Sequence, residues 1–152
     1  MSNAKRRPSL LERISGPKAV PLTALVKKGE AAAERVQESF GDFLSARIRQ
    51  LTEARFRLSG APEAAWEEFY ALVVDLRGSA AMVSRDGLDG VCRSLETLLE
   101  EHVRDAPAAA VVSSHIDALV LLSAGREGET AARRLTGELA QAVARIPRKA
   151  AP

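Results

Sequence analysis

The apolar residues of the chain recur every three or four positions from about residue 30 to residue 146. This spacing is typical of α helices, whereas a strand would alternate apolar and polar residues at every second position. Glycine and proline divide the pattern into five segments: a first helix over 30–58, a second opening at Pro62, a third from Leu88, a fourth opened by Pro107 and a fifth ending at Ile146. We therefore predict an all-α fold, an antiparallel up-and-down four-helix bundle with an additional helix.

The first 28 residues differ in character from the rest. They contain Pro8, Pro17 and Pro21 and show no sustained periodicity, so a long helix through them is not expected. They carry seven basic side chains against one acidic side chain, a net charge of +6, which leaves −4 for the remainder of a chain whose total is +2. We predict a flexible basic tail over 1–28, a helical domain over 29–147 and a short C-terminal tail over 148–152.

Composition limits the chemistry that the chain can perform. Its one cysteine, Cys92, excludes an internal disulfide framework, and His102 and His115 are its only histidines, so no metal or cofactor site is predicted. The apolar run "IDALVLL" is interrupted by Asp117 and is much shorter than the roughly 20 residues of a membrane span. We predict a cytoplasmic protein that does not cross a membrane.

The second helix contains a run of small residues, "GSAA", at 78–81. With the stripe through Trp66, Phe69 and Val73 turned to the core, a second set of positions shares an adjoining outward face: Ala71, Val74, Gly78 and Ala81, bordered by Arg77. Small residues on such a face allow a partner to approach closely. They occur equally where two helices of one bundle cross, and the helical wheel alone does not separate a docking face from internal packing.

The stretch "VDLRGSAAMVSRDGLDGVCRSLE", residues 74–96, resembles the signature of the histidine phosphotransfer (HPt) domain family. That signature runs His-x-Leu-Lys-Gly-Ser-Ala, followed by a short loop and a helix with Leu-x-x-x-Cys-x-x-Leu-Glu. Arg77 stands for the usual lysine, and eight positions match: Leu76, Gly78, Ser79, Ala80, Leu88, Cys92, Leu95 and Glu96. The resemblance implies a four-helix bundle, often with one more helix, whose glycine leaves room for a receiver domain.

One departure from the signature decides the chemistry that the resemblance implies. The position of the phosphoryl-accepting histidine is Val74, whose isopropyl group has no lone pair for nucleophilic attack. Asp75 lies about 100° around the helix, and we expect it to be a surface carboxylate. His102 and His115 belong to other helices, and we expect His115 to be a helix-surface residue.

The resemblance therefore implies a non-catalytic HPt-like signalling module and not an enzyme. Its expected partner is the receiver domain of a response regulator, or a histidine kinase, bound without accepting phosphate. The expected partner-binding residues are Ala71, Val74, Asp75, Arg77, Gly78 and Ala81.

Three alternatives remain open at this point. The chain could be an active phosphotransfer intermediate with Asp75 or another non-standard acceptor. It could be a helical carrier for a basic tail that binds nucleic acid, although residues 1–28 hold no aromatic side chain for base stacking. It could also be a structural bundle that oligomerises through its long first helix.

Overall fold

The structure is a computed structural model in which residues 21–83 and 87–152 are described. Those residues form five α helices and one short 3-10 helix: α1 Leu22–Ala54, the 3-10 helix Arg55–Arg57, α2 Glu63–Ala80, α3 Leu88–Glu101, α4 Ala106–Ser123 and α5 Glu129–Ala144. Within the described ranges no strand occurs, and an isolated bridge joins His102 to Arg148. The all-α prediction is confirmed.

Helix α1 begins earlier than the sequence pattern predicts. It starts at Leu22 and not near Glu30, directly after Pro21, whose carbonyl accepts backbone hydrogen bonds from Ala24 and Leu25 at 2.9 and 3.2 Å. Proline is tolerated there because the first N–H groups of a helix have no intrahelical acceptor. Residues 22–28, which we assigned to the basic tail, are therefore helical, and the rest of that tail lies outside the described residues except Pro21.

The chain divides into two compact units, residues 1–38 and Ser39–Pro152. In the first unit, the described residues are the start of α1, and their side chains are almost all exposed. The second unit, which we call the body, holds the remainder of α1 and all the other helices. Val36 and Phe56 belong to the apolar spacing that predicts the first helix, and that spacing predicts that they face the core. They are instead 54% and 73% exposed, which corrects this part of the prediction.

The body has a single apolar core to which all five α helices contribute. Helix α2 packs on α3, α3 packs on α4 and α5, α4 packs on α5, and the 3-10 helix packs on α4. The largest fully buried side chains are Trp66, Phe69, Leu44, Leu51, Leu58, Leu76, Leu88, Leu95, Leu98, Leu99, Ile116 and Leu119. At roughly 25 cal/mol per Å² of apolar area removed from water, such side chains supply most of the stabilisation of the body.

Residues after α5 close the end of α3. The Val103 N–H donates to the Pro147 carbonyl at 2.9 Å, and the Lys149 N–H donates to the Glu101 carbonyl at 2.8 Å. Arg148 and Lys149, which we assigned to a C-terminal tail, are thus held against the body as far as residue 149. This segment supplies partners for backbone groups that a helix end leaves unpaired.

Candidate functional site

The small-residue face of α2 lies at the surface of the body. Because Trp66, Phe69, Val73 and Leu76 are buried, the opposite side of the helix is left to solvent, and the exposed fraction of Val74 is 44%. We call this surface the Val74 face; its exposed members are Ala71, Val74, Asp75, Gly78 and Ala81. The direction of the core that we inferred from the helical wheel is confirmed.

Gly78 has free space above its Cα atom. A Cβ atom built there meets no heavy atom within 4 Å, outside its own helix backbone and chain neighbours. Internal packing therefore does not explain this glycine, although glycine is less favourable than alanine in a helix by up to about 1 kcal/mol. Ser79 and Ala80 point the other way and are buried, so only part of the small run belongs to the exposed face.

Arg77 is tied to helix α3. Its Nη1 donates to Oε2 of Glu96 at 2.5 Å, and its Nε lies 3.9 Å from Oδ1 of Asp89. The hydrogen bond to Glu96 is the first cause of a raised pKa of Arg77, followed by the attraction between the two charges. The positive charge of Arg77 is therefore largely balanced within the body. The sequence did not reveal this role of Glu96, which lies 19 residues away on another helix.

Asp75 is an exposed carboxylate on the same face. Its side chain is 61% exposed, and its Oδ2 lies 3.9 Å from Nη2 of Arg47 on α1. The Arg47 guanidinium also stacks over the Phe43 ring, 4.9 Å from the ring centroid. The Val74 face is thus apolar and nearly flat at its centre, and arginine–carboxylate contacts lie at both edges.

The histidines are not surface residues, which corrects the expectation for His115. Its side chain is fully buried; Nδ1 donates to the Val111 carbonyl at 2.8 Å, and Nε2 lies 2.9 Å from Oγ of Ser94. Burial lowers the pKa of His115, so the neutral ring is favoured. His102 is also buried, and its Nδ1 is 2.7 Å from the Ile146 carbonyl. Neither ring can meet a phosphoryl group on a partner in this structure.

Cys92 and a groove beside α5 are two further places where chemistry could be expected. Cys92 is buried in the core, which raises the pKa of its thiol to about 12. Among the described residues, no cluster of histidine, cysteine and carboxylate side chains could hold a metal ion. A groove of about 420 Å³ lies beside Gly87, Ala132 and Thr136; the carboxylate on its rim, Glu129, is already paired with Arg133.

One described helix, α4, is long and apolar enough to cross a membrane by length and composition. In the body, however, 44% of that window is buried, and the helix packs on α3 and α5. This is also the pattern of a core helix, and the expected cytoplasmic location stays a prediction.

The geometry thus isolates one candidate surface, the Val74 face, and its partner-binding role stays a prediction. Comparisons of the chain with protein-family models, with curated proteins and with solved structures found no match.

Proposed function

We propose that the chain is a non-catalytic HPt-like module of two-component signalling, which binds the receiver domain of a response regulator, or a histidine kinase, without accepting a phosphoryl group. The Val74 face carries this proposal. Val74 is exposed at the position that the resemblance gives to the phosphoryl-accepting histidine, and Gly78, one turn later, leaves open space beside it. A face with this shape suits the close approach of another protein, while its central side chain has no nucleophilic atom.

The proposal includes an antiparallel up-and-down arrangement of four helices with an additional helix. Two observations support it: consecutive helices from α2 to α5 pack against one another, and the connections after α3 and α4 are only a few residues long. Short connections between packed helices favour antiparallel neighbours.

The charges around the face favour binding without phosphate transfer. Arg77 is engaged by Glu96, and Arg47 lies beside Asp75, so the edges of the face are close to electrically neutral. An uncharged, apolar patch on the partner would cover the centre of the face without removing a charged side chain from water. Affinity would then come from shape and apolar burial, with a small dependence on salt.

A comparison of two glycine variants tests the proposal. Gly78→Arg fills the open space of the Val74 face, whereas Gly137→Arg adds the same side chain to α5; both glycines are exposed, helical and free of neighbours within 4 Å of a Cβ atom. Both variants should keep the helical circular dichroism and the melting behaviour of a folded body.

The binding assay is affinity co-purification from the native cell extract, followed by titration of the captured domain against purified protein. We expect wild type and Gly137→Arg to bind a response regulator or histidine kinase, and Gly78→Arg to lose it. If all three proteins bind the same partners equally, the Val74 face is not the docking surface and the proposal is wrong.

The exposure of Asp75 favours one second candidate, an active phosphotransfer intermediate that uses this carboxylate. The two functions differ in whether label stays on the chain after incubation with a phosphorylated receiver domain. Label that is retained by wild type and lost in Asp75→Asn would support the second function. An unlabelled chain that still binds the receiver would support the first.

A further inference from the structure

The start of helix α1 carries an apolar stripe that is exposed among the described residues of its unit. Within the first unit, the exposed fractions of Leu22, Val26 and Val36 are 62%, 51% and 54%. Gly29 and Ala33 lie between them, so apolar or small residues follow one another at steps of four, three, four and three residues. We call this set the α1 stripe. Its mean spacing of 3.5 residues is that of helices that pack along each other as coiled coils.

The charges of this segment are separated along the helix. Lys27 and Lys28 give residues 22–29 a charge of +2, whereas residues 30–38 hold Glu30, Glu34, Arg35 and Glu38, a charge of −2. A second copy lying antiparallel would place its acidic half beside the basic half of the first, and the two helix dipoles would cancel.

We propose that the α1 stripe is an interface between two copies of this chain, packed antiparallel about a two-fold axis near residues 29–33. In a pair related by a two-fold axis, both copies use the same surface patch for the contact. Gly29 and Ala33 then lie at the crossing point, where small residues let two helices approach closely, and Val26 of one copy meets Val36 of the other. Pairing would also stabilise this part of the helix, because most helical stability in proteins comes from packing of an apolar face.

The dimer is tested by sedimentation velocity of the full chain at concentrations from roughly 1 to 500 µM. Val26→Glu would place a carboxylate in the interface twice, once from each copy, and should raise the dissociation constant at least about tenfold. The matched control is Ala31→Glu, which adds the same charge on the other side of the exposed helix and should leave the dimer intact.

The orientation is tested by cysteine crosslinking, which is feasible because the native Cys92 is buried. Copies carrying Val26→Cys are mixed with copies carrying Val36→Cys and oxidised gently. An antiparallel pair should give disulfides between the two variants, and a parallel pair would give disulfides within each variant.

Two results would overturn the proposal. A chain that stays monomeric over the whole concentration range does not form this interface, even if another surface covers the α1 stripe. A dimer that Val26→Glu and Ala31→Glu weaken equally, or that crosslinks only within each variant, forms through another surface or in the other orientation. Dimerisation and binding through the Val74 face are measured separately, so either can fail alone.

Discussion

Replacing Gly78 by alanine should make the protein more stable. The backbone at Gly78 has ordinary helical geometry, and a Cβ atom there meets nothing within 4 Å, so the new methyl group causes no clash. Alanine is favoured over glycine by about 0.8–1.0 kcal/mol in a helix interior. Gly78 lies in the last turn of α2, Glu63–Ala80, where only part of this difference applies. We expect the free energy of unfolding to rise by about 0.5 kcal/mol.

Two other glycines provide the comparison. Gly137, near the middle of α5, is equally free of neighbours, and Gly137→Ala should add about 1 kcal/mol. Gly90 on α3 is different, because its Cβ atom would lie 3.0 Å from Cγ2 of Thr136. The Thr136 hydroxyl donates to the Ala132 carbonyl at 2.8 Å, which holds that side chain in place. Gly90→Ala should therefore lose about 1 kcal/mol through overpacking.

Urea denaturation followed by circular dichroism measures all three variants, and melting temperatures check the order. For a body of this size, 0.5 kcal/mol corresponds to about 2 °C. A loss of stability in Gly78→Ala would refute the reasoning, since the body would then need the glycine for its own packing. If stability rises while affinity for the partner falls, Gly78 is retained at the expense of stability for the sake of docking.

Three further predictions concern the interior of the body. Replacing Arg104 by methionine should lower the free energy of unfolding, measured by urea titration, by about 2 kcal/mol, because the buried guanidinium donates two hydrogen bonds to the Leu99 carbonyl, at 2.9 and 3.2 Å. An unchanged free energy of unfolding would show that these hydrogen bonds contribute no net stability. The free energy of unfolding should fall as the pH drops below about 6.5, by at most about 1.4 kcal/mol per pH unit, because His115 takes up a proton more readily in the unfolded chain than in the folded one. In the His115→Gln variant, the free energy of unfolding should depend less steeply on pH than in wild type. At neutral pH the Cys92 thiol should react with a thiol reagent only as fast as the protein unfolds, because the thiol is buried and its pKa is raised to about 12. Rapid reaction of the native protein would contradict this burial.

The spacing of apolar residues predicted the helices and the face that each one buries. Trp66, Phe69 and Val73 were placed in the core because they recur at the helical period, and the exposure of Val74 followed from them. Val36 was assigned to the same kind of stripe and is exposed, because periodicity shows which side of a helix is apolar and not whether that side is covered.

Pairings between helices could not be predicted from the sequence. His115 was expected at the surface because it is polar, but α4 packs against α3, α5 and the 3-10 helix, which widens its buried arc. Ser94, 21 residues away, and the Val111 carbonyl pair with both ring nitrogens and so offset the cost of burial. The engagement of Arg77 by Glu96 depends in the same way on the packing of α2 against α3, which no local spacing encodes.

The segment that closes the end of α3 has a consequence for the order of folding. The ring of His102 meets the Ile146 carbonyl, 44 residues later in the sequence, and the Glu101 carbonyl pairs with Lys149. Closing so long a loop is entropically costly until the intervening helices have already packed. Helix α3 can therefore form early through local contacts, but its last turn stays open to water and to hydrogen exchange until α4 and α5 are in place. Formation of the pairs beyond α5 is thus expected to be a late event, and a chain interrupted within α5 should lack these pairs together with the packing of α5 on α3 and α4.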